Sequence, residues 1–296
     1  MPCGTVLIAK SLNTTKTTMD KYNSTCELVN TYEILEHIMG IEGLHPHSLT
    51  TINNLFNVIA KHTKDQIGII LDIGCGSGSG THKLAKKLSE NVSVIGIDIN
   101  ESSINKAKSN YSEIDGLSFY HGTLEAFQKE NSEMNIIGII AVSVSMFLPN
   151  TIDFYRTSEE ILSENGIFID APFVFKFSSV SEKLKHKTYS VCGCNMKMET
   201  TEHLKNNLQK LGFTNITAEE KEFELMDLKT LSKDYTIRQL LSNFRRKTFT
   251  LPAPLKGHTS WYILRRTLNI FAFFIRNRSQ FGAAIIIGIK TVAKSK

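Results

Sequence analysis

Hydrophobic residues recur along the chain at two different spacings, and the switch between them marks out the elements. From Tyr22 to Met39, Leu28, Tyr32, Leu35 and Met39 fall on one stripe at helical spacing. Gly40 and Gly43 close that segment, and Ser48 caps a second predicted helix over Ser48–His62. Short runs rich in β-branched residues then alternate with helical stretches. Ile67–Ile73, Val92–Ile97, Leu117–His121, Ile136–Val144, Gly166–Ala171, Ile216–Glu224 and Ala283–Ile289 predict strands. Thr81–Ser89, Ser102–Tyr111, Phe154–Leu162 and Thr200–Leu211 predict the helices between them. Ile136–Val144 is almost wholly apolar, as expected of a central strand buried on both faces. The alternation predicts an α/β fold: a doubly wound, mostly parallel, seven-stranded sheet preceded by N-terminal helices.

The last two predicted strands are separated by Leu225–Phe281, far longer than a hairpin connection. Pro252 and Pro254 break this stretch into two helical halves. In the second half Ile263, Leu264, Leu268, Phe271, Phe274 and Ile275 share one side of a helical wheel, and Arg265, Arg266, Asn269 and Arg276 share the other. The expectation is a helical lid over residues 225–281, inserted before the last strand. Residues 1–20, rich in Thr, Ser and Lys, are expected to be a flexible N-terminus, and residues 21–296 a single domain.

The chain has 296 residues, 41% of them hydrophobic and 21% charged. That composition excludes a disordered or collagen-like chain, and the length allows a sizeable core without disulfides or metals. Charge is distributed unevenly. Residues 235–296 carry 12 Lys and Arg and no Asp or Glu, whereas residues 1–234 carry 22 basic and 29 acidic side chains. A basic, aromatic-rich end segment suits an anionic partner: a phosphate, a lipid surface or nucleic acid. Five cysteines at irregular spacing do not make a disulfide framework, and Cys192-Gly193-Cys194 lacks a second pair at zinc-ligand spacing, so it is expected to be a turn. A reducing cytoplasm fits that cysteine usage. The N-terminal apolar run is too short for a signal peptide, and no stretch reaches the roughly 18 apolar residues of a spanning helix, so the expectation is a soluble or peripheral protein.

The densest chemical signal is Leu71-Asp72-Ile73-Gly74-Cys75-Gly76-Ser77-Gly78-Ser79-Gly80, between a predicted strand and a predicted helix. Glycines there let the backbone turn sharply and let a ligand lie against bare amides, with the helix N-terminus adding partial positive charge. A dinucleotide fingerprint runs Gly-x-Gly-x-x-Gly, but counted from Gly74 that register puts Ser79 at the third glycine. Asp72 ends the strand before the loop, where a carboxylate repels a pyrophosphate and attracts an ammonium. Asp98 ends the second strand, where a carboxylate can accept from both ribose hydroxyls. A ligand with an amine at one end and a ribose further along is S-adenosylmethionine.

On these residues the sequence resembles the class I S-adenosylmethionine-dependent methyltransferases, in their small-molecule (lipid, quinone, sterol and natural-product) branch. LDIGCGSGSG resembles the first motif of that class and VIGIDI its second. The resemblance implies that Asp72 and the Gly74, Cys75, Gly76, Gly78 loop hold the amino-acid part, that Asp98 holds the ribose, and that Ile99 packs beside the adenine. His121-Gly122-Thr123-Leu124-Glu125 resembles the third motif, which places Thr123 and Leu124 along the adenine edge, with Thr123 where the family usually has Asp. Ala141–Phe147 resembles the fourth, which places Ser143 near the reacting sulfonium.

The acceptor side is less determined. Tyr22 sits where such enzymes place a tyrosine over the methionine end, and His45-Pro46-His47-Ser48 departs from the usual His-Pro-Gly-Gly cap. Phospho-base relatives pair the tyrosine with a histidine just after the fourth motif, where this chain has Phe147. A phenyl face can stabilise a developing cation, which suits an isoprenoid acceptor. Tyr22, His45 and Phe147 are therefore the candidate catalytic residues, with His47, His121 and His258 as further candidate bases. In the predicted lid, Arg245, Trp261, Tyr262, Arg265 and Arg266 are candidate substrate residues, the aromatics for an apolar body and the arginines for phosphates or a membrane face. The expectation is a methyltransferase acting on a hydrophobic small molecule such as a phosphorylated isoprenoid, lipid or natural-product intermediate. Two alternatives stay open: an RNA methyltransferase using the basic segment, and a cofactor- or lipid-surface-binding protein without turnover. No metal cluster is expected.

Overall fold

The computed structural model describes residues 47, 49–192, 196–222, 265, 269–270 and 272–291. The first described helix, α1 (Leu49–His62), leads into β1 (Gly68–Ile73). There follow α2 (Ser79–Ala85), β2 (Val92–Asp98), α3 (Glu101–Tyr111), β3 (Leu117–His121), α4 (Leu124–Glu130) and β4 (Ile136–Val142). A single 3₁₀ turn at Ser145–Phe147 precedes α5 (Thr151–Ile161) and β5 (Leu162–Ala171). The rest comprises β6 (Phe173–Phe175), α6 (Glu182–Cys192), α7 (Thr201–Lys210), β7 (Thr214–Glu222), a 3₁₀ turn at Arg278–Gln280 and β8 (Phe281–Ile289).

One sheet joins these strands in the order β3-β2-β1-β4-β5-β8-β6, with β7 also pairing β8. The β3–β2, β2–β1, β1–β4 and β4–β5 pairs are parallel, and β8 is antiparallel to β5, β6 and β7. The doubly wound, mostly parallel expectation is met, but the sheet has eight strands where seven were expected. The extra one is Phe173–Phe175: after Pro172 the chain resumes pairing with the start of β8, with Phe173 opposite Ala283 and Phe175 opposite Phe281.

Two apolar layers cover the sheet. On one face Leu55 and Ile59 of α1, Leu84 of α2 and Ile104 of α3 pack on Ile70, Val94 and Ile140. On the other, Phe127 of α4, Phe154 of α5 and Leu208 of α7 pack on Leu71, Ile139 and Phe168. Successive strand residues such as Ile70 and Leu71 therefore serve opposite faces, as the pleat requires. A third cluster lies beyond the carboxyl end of β5: Met146, Phe173, Phe175, Met196, Met198, Ile270, Phe274 and Phe281.

Several predicted bounds move. The helix predicted at Thr81–Ser89 begins at Ser79, directly after left-handed Gly78. The fourth strand stops at Val142 because Ser143 takes φ +62° and leaves the ladder. Asn100, Thr123, Asn150 and Thr200 cap α3, α4, α5 and α7 with their side chains. Helix α6 has no counterpart among the predicted elements, and Cys192, the first residue of the predicted turn, is its buried last residue, whereas Gly193 and Cys194 lie outside the described residues. Of the predicted lid, only Arg265, residues 269–270 and 272–281 fall within the described residues. Among the described residues no helix is long and apolar enough to cross a membrane.

Candidate functional site

Strand order reverses between β1 and β4, since β2 and β3 continue from one side of β1 and β5 from the other side of β4. Ligands of open α/β sheets bind in the crevice outside the carboxyl ends of the strands at such a point. The ends of β1, β2 and β4 carry Asp72, Asp98 and Ser143 to this one place.

The β1–α2 loop is shaped by its glycines. Gly74, Gly76 and Gly78 have φ of +70°, +54° and +84°. At Gly78 a Cβ would fall 2.7 Å from the Phe119 ring of β3, so α2 approaches β3 only over a glycine. At Gly76 a Cβ would meet nothing within 4 Å: the loop there faces open space. Gly74 packs instead against Val144, which ties the β1 loop to the chain leaving β4.

Asp72 is buried, at 8% exposure, and its Oδ2 accepts from the Thr81 hydroxyl of α2 at 2.7 Å. Burial pushes its carboxyl up to about 7, against the lowering effect of the Thr81 bond, and the Asp98 charge adds to the rise. Asp98 accepts from two main-chain groups: Gly76 N–H at Oδ2 and Asn100 N–H at Oδ1, both at 2.8 Å. Each oxygen keeps a second lone pair for a ribose hydroxyl. Next to it Ile99 is 64% exposed, an isoleucine projecting into solvent at the mouth of the crevice. Cys75 is held as a thiol, its titration driven upward by burial and by both carboxyl groups, so it is not a nucleophile here.

Thr123 faces inward to its own helix, its hydroxyl oxygen accepting from Ala126 N–H at 3.2 Å. Leu124 is core, packed with Ile97 and Phe127, so only its backbone can border the crevice. His121 approaches the Ile99 carbonyl at 3.2 Å. At the end of β4, Ser143 is 8% exposed and its Oγ has no hydrogen-bond partner. A left-handed serine with an orphaned hydroxyl is strained and unsatisfied at the point where β1 and β4 part, a combination found at functional positions.

Toward β5 the character changes. Phe147 lies in the 3₁₀ turn and packs against the methionine and phenylalanine cluster beyond β5. His47 is buried, its Nε2 3.1 Å from the Ala171 carbonyl. Arg265 is helical and exposed. Tyr22, His45, Arg245, Trp261, Tyr262, Arg266 and His258 lie outside the described residues. The structure therefore brings the cofactor candidates together. Of the catalytic and substrate candidates it describes Phe147, Arg265 and, among the further candidate bases, His47 and His121. Among the described residues no group of His, Cys, Asp and Glu side chains is placed to hold a metal ion.

Sequence reasoning missed Thr81, Tyr155 and Asp170. The Tyr155 hydroxyl donates to Asp170 Oδ2 at 2.7 Å, and neither residue has any exposure. A lone Asp near the end of an apolar strand, Gly166-Ile167-Phe168-Ile169-Asp170-Ala171, was the available signal.

The arrangement fits S-adenosylmethionine. An ammonium beside Asp72 would relieve a buried carboxyl that has no cation partner among the described residues, Asp98 would accept from the ribose, Ile99 would offer an apolar surface to the adenine, and the space at Gly76 admits a ligand against the loop. The comparisons agree. Residues 64–202 match the methyltransferase-domain family. A Dictyostelium discoideum protein named as a methyltransferase is 28% identical over 117 residues, 40% of this chain and 41% of that protein, so the match spans less than half of the relative. Among solved structures, a Galdieria sulphuraria chain described as a sarcosine dimethylglycine methyltransferase aligns with a TM-score of 0.70 at 12% identity, covering 88% of this chain and 98% of that one. A Geobacter sulfurreducens S-adenosylmethionine-dependent methyltransferase bound to S-adenosylhomocysteine aligns at 0.60 and 15%, covering 87% and 97%.

Proposed function

We propose that the chain transfers a methyl group from S-adenosylmethionine to a hydrophobic small molecule, of the class of phosphorylated isoprenoids, lipids and natural-product intermediates; the match of residues 64–202 to the methyltransferase-domain family and the shared fold support the reading. When bound, S-adenosylmethionine supplies an electrophilic methyl carbon on a sulfonium whose leaving group is a neutral thioether. The chain's own contribution is then orientation, which in favourable cases is worth roughly 7–11 kcal/mol. Asp72 holds the ammonium and Asp98 the ribose, and the chain between them lies in the open space over Gly76, where the Gly74, Cys75, Gly76 and Gly78 amides are already spent on Ile97 O, Asp98 Oδ2 and Cys75 O in shaping the loop. Ser143 borders the reacting end.

The observation that carries the acceptor class is the cluster beyond β5. Met146 leaves the turn that follows Ser143 and enters a patch made of Met196, Met198, Phe173, Phe274 and Phe281. Methionines are unbranched and adapt to irregular apolar shapes. The surface around this cluster supports a peripheral encounter with a membrane. Phe177 and Ile275 are 51% and 62% exposed, and Arg276 and Arg278 beside them are exposed as well. Membrane contact in the cytoplasm would deliver an apolar acceptor to the same edge of the sheet.

The test is incubation of the protein with methyl-labelled cofactor and separate lipid, metabolite and RNA fractions of a cell extract. Label in the organic-solvent fraction is the expected result. Label in RNA alone would move the protein to the nucleic-acid class, and label in no fraction with intact cofactor binding would support a binding protein without turnover.

A further inference from the structure

Below the turn that carries Ser143 lies a buried polar group that cofactor binding does not use. Asp170 is the penultimate residue of β5, opposite Ala141 of β4 and Ile286 of β8. Its Oδ2 accepts from Tyr155 of α5, whose ring stands edge-on to Phe168 at 5.0 Å. The buried Ser145 hydroxyl, in the turn after β4, bears on the same carboxyl and favours its charged form. Its Oδ1 has no hydrogen-bond partner. The next carbonyl, Ala171 O, accepts Ser143 N–H at 3.0 Å, so the turn is tied to the end of β5 at both Ser143 and Ser145. Its far side is held at Met146 O by Lys197 N–H, at 2.6 Å.

We propose that Asp170 is a positioning residue for the acceptor: with Tyr155 and Ser145 it clamps the Ser143–Phe147 turn and so fixes where Ser143, Met146 and Phe147 stand relative to the crevice. Resting on the methyltransferase reading for its purpose, the clamp has its own physical logic. Three elements, β5, α5 and the turn, meet at one carboxyl, and a hydrocarbon side chain there would leave the buried Tyr155 hydroxyl without its acceptor and the buried Ser145 hydroxyl facing carbon. The elements around it present few ionisable groups. Tyr155 faces it from α5, β4 and β8 face it with Ala141 and Ile286, and His47 reaches the neighbouring carbonyl. Glu199 is the charged group that bears on it, with His203 3.5 Å from Glu199 Oε2. With a second acid and no paired cation among the described residues, the carboxyl favours its neutral form. Burial moves it up to about 7, and ionising it would put an unpaired charge in the core beside the turn.

Hydrogen exchange at the amides of Ser143, Phe147 and Leu148 reads the clamp directly and needs no acceptor. In the cofactor-free full chain at pH 6, Asp170→Ala and Tyr155→Phe are expected to raise exchange at these amides about tenfold, while Asp170→Asn, which mimics the neutral acid, keeps wild-type protection. At pH 8, after correction for intrinsic rates, the wild type is expected to lose protection and Asp170→Asn to keep it. Tyr155→Phe keeps the ring on Phe168 and removes only the oxygen, so it reports on a folded protein even where Asp170→Ala does not fold. Cofactor affinity by calorimetry should stay within about twofold in all folded variants. The extract concentration giving half-maximal label should rise for Tyr155→Phe and not for Asp170→Asn. Wild-type exchange rates in Tyr155→Phe, or exchange in Asp170→Asn as fast as in Asp170→Ala, would overturn the proposal. Failure of the wild type to label any extract bears on the methyltransferase reading and leaves the exchange result standing.

Discussion

The main-chain N–H of Gly76 donates to Asp98 Oδ2 at 2.8 Å, joining the middle of the first loop to the tip of the second strand. A single carboxylate thereby does two things. It closes the loop into the left-handed shape that leaves space over Gly76, and it presents its remaining lone pairs outward. The proposed ribose-binding position and the loop geometry are one structure, so a change at either residue is expected to be felt at the other.

The glycines of the loop separate stability from binding. Gly78→Ala combines φ +84° with a Cβ 2.7 Å from Phe119, and is expected to destabilise the protein by about 2–3 kcal/mol. Gly76→Ala has the strained φ of +54° but no clash, so about 1 kcal/mol is expected. Its new methyl enters the open crevice, and cofactor affinity should fall at least tenfold. Thermal unfolding and calorimetric titration of both variants check the contrast; equal stability losses would contradict it.

Asp72 is expected to make cofactor binding pH-dependent. With its carboxyl near 7, it is largely protonated at pH 6 and ionised at pH 8. A cationic ligand group favours the ionised form, so affinity for S-adenosylmethionine should rise from pH 6 to 8 and then level off. Asp72→Asn should flatten that rise and bind weakly throughout. The sign for stability is opposite. Because the folded value lies above the ordinary 3.8, the Asp72 contribution favours the fold most below that value and is lost as pH climbs through about 7. Without cofactor, Asp72→Asn should therefore gain stability relative to wild type at pH 8, as read by denaturant midpoints.

The cap is expected to serve the acceptor alone. Phe274 is buried against Phe173 and Phe281, with ring centroids 5.6 and 5.1 Å away. Phe274→Ala should cost about 3 kcal/mol and sharply reduce methyl incorporation into the organic extract, while cofactor affinity changes less than twofold. An equal loss of cofactor binding would show that the cap belongs to the first crevice.

Membrane contact has its own measurement. Wild-type protein should sediment with vesicles containing phosphatidylserine and much less with pure phosphatidylcholine, and raising salt should release it. Arg276→Glu with Arg278→Glu, or Phe177→Ser with Ile275→Ser, should each weaken sedimentation several-fold. Sedimentation that ignores lipid charge and all four substitutions would remove the membrane encounter.

The frame was legible wherever one local pattern decided the matter. The alternation of apolar strands with helices fixed the parallel sheet, and Asp72, the glycine loop and Asp98 could be placed at one crevice because strand ends are read from the same pattern. What stayed hidden depends on contacts distant in sequence. Asp170 meets Tyr155 and Ser145 only after β5, α5 and the turn have packed. Thr81 meets Asp72 only because α2 starts two residues earlier than its apolar spacing predicts. The three residues of β6 are too few for any periodicity, and their pairing is dictated by β8, more than a hundred residues later. Thr123 could be placed at the third motif, but its hydroxyl is already engaged in capping α4, which no spacing reveals.

The most direct test of the crevice is calorimetric titration of S-adenosylmethionine into wild type and Asp98→Ala at pH 8. One-to-one binding to the wild type is predicted, with affinity lowered about ten- to a hundredfold in the variant, as loss of hydrogen bonds to a charged acceptor implies. No binding by the folded wild type, or equal affinity in the two proteins, would contradict the assignment of these strand ends to a sulfonium nucleoside.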